Sequence, residues 1–405
     1  MLVMLVVFVA AGAVASSGRI NDWRGSWRMA LDAGASARVF LGPVAAGAAC
    51  LVYARLRSSA MSEVILQSCR DWLRWLQPLL AIWVLAVSAL VVVTAGATTI
   101  ASLSGVPAYP EDVWILLPVS GVLAGQAAIG AAIGYASGRP WTAPLAVVLV
   151  LLVFLWSQSG PLPEFFLDGG ATVDLAGFRF VPRGWLVPGA AALALTVVVV
   201  ALAHPRLFLA TAARRVLVGG ALLGWVASWF AIDDDMTVDL RADPEWTCAG
   251  AQPEVCVYAE HPRPLADLAA KVDRQAAALR ALEIPMPARF VESLDEQPPG
   301  TGSIDLGESG ADRVVPDELA TDALTRPTSC PADYGDEPPH LSFEARHLLG
   351  RWLQVRAGVL EPRPEDRDRA WLTGDPARAD GWVRTTYRQL TDCAYAQLRM
   401  PDGLG

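Results

Sequence analysis

The sequence has 405 residues, of which 53% are hydrophobic, and its net charge at pH 7 is −9. Residues 1–232 are apolar and hold fourteen arginines against nine acidic residues, so the excess of acid lies in residues 233–405. An acidic soluble part excludes nucleic acid as an expected partner, because phosphate binding requires clustered lysines and arginines. We therefore predict two domains, a transmembrane domain over residues 1–232 and a soluble domain over residues 233–405.

Apolar segments follow one another through the first domain. A helix that crosses a bilayer needs about 17–25 apolar residues, since every backbone polar group must be satisfied within it. Seven segments reach or approach this length, and each is predicted to be a span: residues 2–17, 39–54, 79–100, 113–136, 142–157, 185–203 and 216–232. Residues 2–17 also resemble a signal peptide with a cleavage site near Ala15, but no basic residue precedes them, which favours an uncleaved span.

The arginines in the short loops predict the orientation of the bundle. With a cytoplasmic N-terminus, the inner loops carry eight arginines and the outer loops six. Arg214 and Arg215 precede the last predicted span and Asp233 follows it, which favours an outward C-terminus. We expect a multi-pass protein of the bacterial plasma membrane with an extracytoplasmic C-terminal domain.

Two segments beside the predicted spans are amphipathic. Ile20, Trp23, Trp27 and Leu31 recur at helical spacing, which predicts a short helix on the membrane surface. Residues 55–76 place apolar side chains near one face of a predicted inner helix, which is either a surface helix or a docking element for a cytoplasmic partner. The residues of this inner segment that would face such a partner are Arg55, Arg57, Arg70, Trp72 and Arg74.

The interiors of the predicted spans contain no ionisable side chain, and Gln126 is the most polar residue at depth. Ion-coupled transporters usually rely on ionisable groups within the membrane, so that class is disfavoured. The phosphate-binding pattern G-x-x-x-x-G-K-[ST] does not occur, and the only lysine, Lys271, lies far from any glycine. If the protein takes part in ATP-driven transport, a separate subunit must hydrolyse the ATP.

Glycines recur along the fourth predicted span at four-residue spacing. Small residues at this spacing let two helices approach closely and gain dispersion contacts. The glycines predict either ordinary packing within the chain or a face that moves or forms a dimer with the same or a related chain. The predicted packing face consists of Gly121, Gly125, Gly130, Gly134 and Gly138.

The soluble domain is predicted to be a small α/β or α+β domain. Residues 254–259 and 288–293 have the composition of strands, and residues 264–282 keep a helical apolar stripe. Ser342 is the predicted N-cap of a further helix that runs to about residue 359, and residues 378–400 predict another.

Four cysteines lie in the soluble domain, and their even number in an oxidising compartment favours disulfides. Three connectivities are open, of which we prefer Cys248 with Cys256 and Cys330 with Cys393. A zinc site is the alternative, although no C-x-x-C pair supports it.

No catalytic constellation is visible, so we do not expect an enzyme or a cofactor. The one pattern that could bind a metal is His340, Glu344 and His347 on a helix, but an N-cap at Ser342 would leave His340 outside that helix.

A resemblance to a known family rests on the second predicted span. Residues 37–47 (ARVFLGPVAAG) enter this span, which exits into Arg55-Leu56-Arg57. The stretch resembles actinobacterial membrane proteins similar to ABC-2-type exporter permeases, including versions with a cysteine-containing extracytoplasmic C-terminal domain. The likeness covers residues 1–231 in architecture and residues 37–57 in specific residues. It implies a permease that works with a cytoplasmic ATPase, with residues 55–76 as the coupling contact.

Two functions are therefore predicted. The first is the permease-like subunit of an ABC-type exporter in the lipid bilayer, driven by a separate ATPase, with an outer domain that contacts the substrate or an envelope partner. The alternative is a non-transporting sensor or scaffold whose outer domain binds a ligand or a protein.

Overall fold

The computed structural model describes all residues except 1, 18–22, 24, 59–70, 160–174, 204–210, 229, 232–237, 242–244, 261–264, 293–299, 305, 307–315, 327–339 and 402–405. The chain forms two compact units, Met1–Ala242 and Asp243–Gly405. The first unit is a helical bundle and the second combines a small sheet with helices. We describe each unit by itself.

The first unit contains eight helices in the part of the chain that the structure describes. They are α1 (Leu2–Ser17), α2 (Trp27–Ala35), α3 (Arg38–Ser58), α4 (Asp71–Leu103), α5 (Leu116–Ser137), α6 (Ala143–Ser159), α7 (Pro182–Ala203) and α8 (Ala212–Ser228). Two 3₁₀ helices, Pro110–Ile115 and Pro140–Thr142, lead into α5 and α6.

Four helical stretches among the described residues are long and apolar enough to cross a membrane: Trp27–Arg57, Trp75–Leu103, Pro110–Ser137 and Pro182–Ala203. Two shorter apolar stretches, Val3–Ser17 and Pro140–Trp156, fall below that length. The prediction of apolar membrane-length helices is thus confirmed, whereas the prediction of seven spans is not supported. Each of the seven predicted segments overlaps a described helix, but only four helical stretches among the described residues have the length and apolarity needed to cross a membrane.

Helices α3 and α5 run parallel and in contact. The contacting positions advance in the same direction along both helices: Gly42 faces Gln126, Ala46 faces Gly130, and Cys50 faces Gly134. Helix α4 runs the other way against them, since Trp75 at its start packs on Tyr53 near the end of α3. The bundle core is built from apolar side chains of these helices.

Helix α2 does not match the predicted surface helix. It begins at Ser26, whose hydroxyl accepts a hydrogen bond from the backbone N–H of Met29, a standard N-cap. Trp23 and Trp27 are 3% and 6% exposed and Leu31 is fully buried, all within the bundle core. The predicted helix is confirmed for Trp27 and Leu31, which lie in α2, whereas Trp23 precedes the turn at Gly25; the apolar face of α2 packs on protein. Ile20 lies outside the described residues.

A two-stranded antiparallel ribbon belongs to the first unit. Strand β1 (Phe178–Phe180) pairs with β2 (Val238–Leu240), and Arg179 forms an exposed ion pair with Asp239 at 3.1 Å. The ribbon ties the segment after α8 back to the bundle. The division between the units therefore follows Ala242, whereas the sequence prediction put it after residue 232.

The second unit contains a four-stranded mixed sheet in the order β3-β4-β5-β6. Strands β3 (Trp246–Ala249) and β4 (Glu254–Tyr258) are antiparallel, and β5 (Arg289–Glu292) and β6 (Thr301–Ile304) continue the sheet in parallel. The described helices are α9 (Leu265–Ala281), α10 (Pro316–Thr325), α11 (His340–Arg356), α12 (Arg369–Leu372) and α13 (Pro376–Thr391). A short 3₁₀ helix, Tyr395–Gln397, follows α13.

The β4-α9-β5 segment is a parallel crossover, and the apolar stripe of α9 packs on the sheet. Val255, Leu268 and Phe290 are fully buried in one core. The predicted strands near 254–259 and 288–293 and the predicted helix over 264–282 are confirmed. The prediction that Ser342 caps a helix is wrong, because α11 begins at His340 and Ser342 is 1% exposed inside it.

Candidate functional site: a coupled helix pair and a polar pocket

The predicted glycine face of α5 lies inside the bundle. A methyl group added at Gly130 would overlap the backbone of Ala46 in α3, and one added at Gly134 would overlap the backbone of Cys50. These two positions therefore require glycine, because the backbones of α3 and α5 touch there.

The other members of the glycine face contact a different neighbour or end the helix. A Cβ at Gly121 would lie 2.8 Å from the carbonyl oxygen of Gly189 in α7, and one at Gly125 would lie 3.1 Å from that of Ala192. Gly138 ends α5 with φ of 62°, and its N–H donates to the carbonyl of Gly134. The glycines thus pack α5 between α3 and α7 within one chain.

One end of the α3–α5 pair is joined by Arg57. Its Nη1 donates to the carbonyl oxygens of Tyr135 and Ala136, at 2.5 and 2.7 Å. These carbonyls belong to the last turn of α5, whose backbone acceptors lack partners within the helix. The positively charged guanidinium of Arg57 therefore caps this helix end and interacts favourably with its partial negative charge.

Aromatic packing joins α4 to the same end. The hydroxyl of Tyr53 donates to the carbonyl of Trp75 at 2.5 Å, and the Trp75 ring packs edge-on against Tyr135. Three helices are therefore fixed together where α3 ends and the predicted inner segment begins.

The predicted partner-contacting residues fall into three groups in the structure. Arg55 and Arg57 are both exposed, and Arg57 donates hydrogen bonds to carbonyl oxygens of α5. Trp72 and Arg74 lie in the first turn of α4, and their side chains are not among those described. Arg70 lies outside the described residues.

The opposite end of the pair contains a buried ion pair that the sequence did not reveal. Arg28 Nε in α2 lies 2.6 Å from Asp112 Oδ2, and the side chains are 5% and 11% exposed. The guanidinium also lies 3.9 Å from the ring centre of Tyr109, in cation–π geometry. Asp32 and Arg38, which lie close to Arg28 in the sequence, are also buried. The candidate span Trp27–Arg57 therefore contains ionisable groups. Both residues precede the predicted span of residues 39–54, whose interior contains no ionisable residue.

Gln126 is a buried polar residue of the bundle. It is 1% exposed, and its Oε1 has no hydrogen-bond partner among the described residues. Gly42 of α3 leaves the space that the Gln126 amide fills, since a Cβ there would overlap Oε1.

An apolar pocket of about 410 Å³ opens between α4, α7 and α8. Leu76, Val200 and Leu217 contribute to its walls, and among the described residues Arg214 is the charged one that lines it. Such a lining suits a hydrocarbon chain with an anionic end.

In the second unit, Cys248 and Cys256 form a disulfide across β3 and β4, with Cα atoms 4.0 Å apart. Cys393 is also disulfide-bonded, but Cys330 lies outside the described residues, so the second pairing stays a prediction. Among the described residues, Cys248, Glu254 and Cys256 form the only group with metal-ligand proximity, and the disulfide removes both thiolates from it.

A polar pocket of about 360 Å³ lies between α10 and α11. Acidic residues come from α10, basic residues come from α11 and from Arg326 directly after α10, and an exposed aromatic ring stands at its side. The lining residues that matter are Glu318, Asp322, Phe343, Arg346, His347 and Arg351. Of the possible metal pattern considered above, His347 lines this pocket and Glu344 does not, and the side chain of His340 is not among those described. The sequence signal that marks the start of α10 is Pro316-Asp317-Glu318, a proline followed by acidic residues in the first helical turn.

Hydrogen bonds fix the floor of the polar pocket. The Thr321 hydroxyl donates to Gln275 Oε1 at 2.9 Å and accepts from Gln354 Nε2 at 3.0 Å. Gly350 lets the two helices approach, because a Cβ there would lie 2.6 Å from Thr321 Cγ2. The pocket walls are thus set by buried contacts.

Comparison with known proteins places this pocket in a described family domain. Residues 255–393 match the family model of a domain of unknown function, DUF7224. No curated protein and no solved structure matches the chain.

Proposed function

We propose that the protein is the membrane-spanning subunit of an ABC-type exporter, driven by a separate cytoplasmic ATPase subunit. The second unit would then lie outside the cytoplasm and contact the substrate or an envelope partner. The observation that carries this proposal is the contact of Arg57, near the start of the inner segment 55–76, with the last carbonyls of α5.

A coupling segment must pass a displacement at the membrane surface to helices within the membrane. Arg57 joins the end of α3 to α5, and the two backbones touch further along at Gly130 and Gly134. Because these contacts leave no free space between the helices, a force on residues 55–76 would move both helices together. The pair is therefore suited to transmit motion from a partner.

Two further features support a transport role. The apolar pocket beside Arg214 suits an amphiphilic molecule that moves from the bilayer. Arg28 and Asp112 are in direct contact at 2.6 Å, and the Arg28 guanidinium also packs on the ring of Tyr109. This arrangement favours a structural role for the ion pair over a role in proton transfer. An external energy source fits this arrangement better than ion coupling.

The proposal is tested by photo-crosslinking in cells that express the protein with its neighbouring genes. A photoreactive residue at the exposed position Arg55 should capture an ATP-hydrolysing subunit. The same residue at Arg179, an exposed position in the ribbon with β2, is the control and should not. Failure to capture or co-purify any ATP-hydrolysing subunit would overturn the proposal.

A second experiment addresses coupling in the purified complex. Arg57→Gln should lower ATP hydrolysis by the complex about fivefold or more while the ATPase stays bound. Arg139→Gln, at an exposed arginine just after α5, should leave the hydrolysis rate unchanged. Equal rates for both variants would remove Arg57 from the coupling contact.

The alternative function is a non-transporting sensor or scaffold with a ligand-binding outer domain. The polar pocket between α10 and α11 favours it, because its size falls within the range of small-molecule sites. Capture from Arg55 of a partner that does not hydrolyse ATP would support this alternative.

A further inference from the structure

We propose that the polar pocket between α10 and α11 binds a small zwitterion, a molecule with both a carboxylate and an ammonium group, as in amino acids and short peptides. The pocket lies wholly in the second unit, so this inference holds whether or not the protein is an exporter subunit. It rests on two charged groups of opposite sign that face the same space.

The first group is the guanidinium of Arg346. Its Nη2 donates to the Tyr395 hydroxyl at 2.8 Å and its plane lies near that ring, but its Nε is buried and has no hydrogen-bond partner. No carboxylate of the described residues lies within ion-pair distance of it. By contrast, Arg351 in the same pocket is paired with Asp366 and Asp368. Arg346 thus keeps its donor capacity for a ligand carboxylate.

The second group is the carboxylate of Glu318 on the opposite wall. Its neighbour Asp322 is paired with Arg326 at 3.1 Å, whereas Glu318 has no ion pair among the described residues. Lys271 of α9 contacts this helix through Asp317 at 3.3 Å, and it also pairs with Asp267 of its own helix at 3.1 Å. Glu318 therefore presents an anionic acceptor from a fixed wall.

The two groups do not neutralise each other. Both line one pocket, yet Glu318 and Arg346 form no ion pair within 4.0 Å. A ligand with separate positive and negative ends would satisfy both, while a simple anion or cation would satisfy only one.

The remaining lining defines the third part of the ligand. Phe343 is 73% exposed beside the charged groups, although a ring of this size is normally buried. An aromatic or apolar side chain stacked on this ring would cover it. The structure thus favours a zwitterion with an apolar side chain, such as an aromatic amino acid or a dipeptide that contains one.

The inference is tested with the full chain in detergent and three related probes. L-phenylalanine carries both charges, 3-phenylpropionate lacks the ammonium, and phenethylamine lacks the carboxylate. Titration calorimetry should show that phenylalanine or the dipeptide Ala-Phe binds at least tenfold more tightly than either single-charge probe. If neither zwitterion binds with a Kd below about 1 mM, the inference is overturned.

Two variants separate the charged groups. Arg346→Gln should weaken the binding of phenylalanine and of phenylpropionate about tenfold and leave the affinity for phenethylamine unchanged. Glu318→Gln should weaken the binding of phenylalanine and of phenethylamine and leave the affinity for phenylpropionate unchanged. Arg346→Lys should retain part of the affinity. Arg388→Gln and Glu365→Gln are matched controls at exposed positions outside the pocket. A variant that weakens all three probes equally would indicate loss of structure and contradict the assigned role of that residue.

Discussion

Arg28 and Asp112 form an ion pair that is almost closed to solvent, although they lie 84 residues apart in the sequence. The contact joins α2, which precedes α3, to the 3₁₀ helix that precedes α5. At the opposite end Arg57 joins α3 to α5. The parallel pair α3–α5 is therefore fixed at both ends by an arginine.

Breaking the buried pair should destabilise the first unit strongly. Arg28→Met leaves the Asp112 carboxylate buried without its cation, which costs about 3–5 kcal/mol. We expect a large fall in the melting temperature of the protein in detergent. The double variant Arg28→Met/Asp112→Leu should recover most of the loss, because it removes both charges.

The control for this prediction is the exposed pair of Arg179 and Asp239, whose side chains are 59% and 55% exposed. Arg179→Met should change the free energy of unfolding by about 1 kcal/mol or less. Similar losses at Arg28 and Arg179 would contradict a structural role for the buried pair.

Substitution at the α3–α5 contact should also destabilise the bundle. Gly134→Ala places a methyl group against the Cys50 backbone, and overpacking of this kind costs about 1–3 kcal/mol. Gly96→Ala in α4 is the matched control, since nothing lies within 4 Å of the added methyl, and helix propensity favours it by up to about 1 kcal/mol. Thermal unfolding in detergent compares the two.

A loss of dimer without a loss of monomer stability in Gly134→Ala would instead favour the dimer interpretation of the glycine face. Light scattering of the detergent-solubilised protein distinguishes these outcomes.

The disulfide between Cys248 and Cys256 should stabilise the second unit. It closes a loop with a sequence separation of 8, for which chain entropy gives about 2–3 kcal/mol. Cys248→Ala/Cys256→Ala should lower the melting temperature of this unit, and a reductant should do the same to the parent protein. In unreduced cells neither thiol should react with a maleimide, and rapid labelling of both would argue against an oxidising compartment.

Stability of the second unit should fall at acid pH partly through Asp366. The backbone N–H of Arg363 and the Arg351 guanidinium donate to its carboxylate and hold its pKa below the ordinary value of 3.8. Because the pKa of Asp366 is lower in the folded state than in the unfolded state, its carboxylate stabilises the fold above about pH 3.8. This contribution is lost as the pH falls through the folded-state pKa.

Melting temperatures measured against pH check this prediction. The difference in melting temperature between the parent protein and Asp366→Asn should stay constant from neutral pH to about pH 4 and should shrink below pH 4. Glu365→Gln, the exposed neighbour, should give a difference that is smaller at every pH. A difference independent of pH down to pH 2 would exclude the proposed linkage.

Local patterns predicted much of the second unit. The stripe of Leu265, Leu268, Val272 and Leu279 predicted α9, because helical periodicity reports directly on a buried face. Strands β3 (WTCA) and β6 (TGSI) were missed because small and polar residues dominate them, whereas β4 and β5 each contain a valine next to an aromatic residue, as is typical of strands. The pocket charges could not be inferred, since Glu318 and Arg346 meet only through packing of α10 on α11.

The sequence by itself determined an apolar, arginine-bearing part with membrane-length helices and an acidic part with a sheet and cysteines. Composition and periodicity are properties of neighbouring residues, so they can be read without a fold. Only the tertiary structure decided what those residues face. It buried Trp27 instead of placing it on lipid, paired Arg28 with Asp112, and set Gly130 and Gly134 against α3. These relationships depend on distances between segments far apart in the chain, and no local pattern specifies such distances.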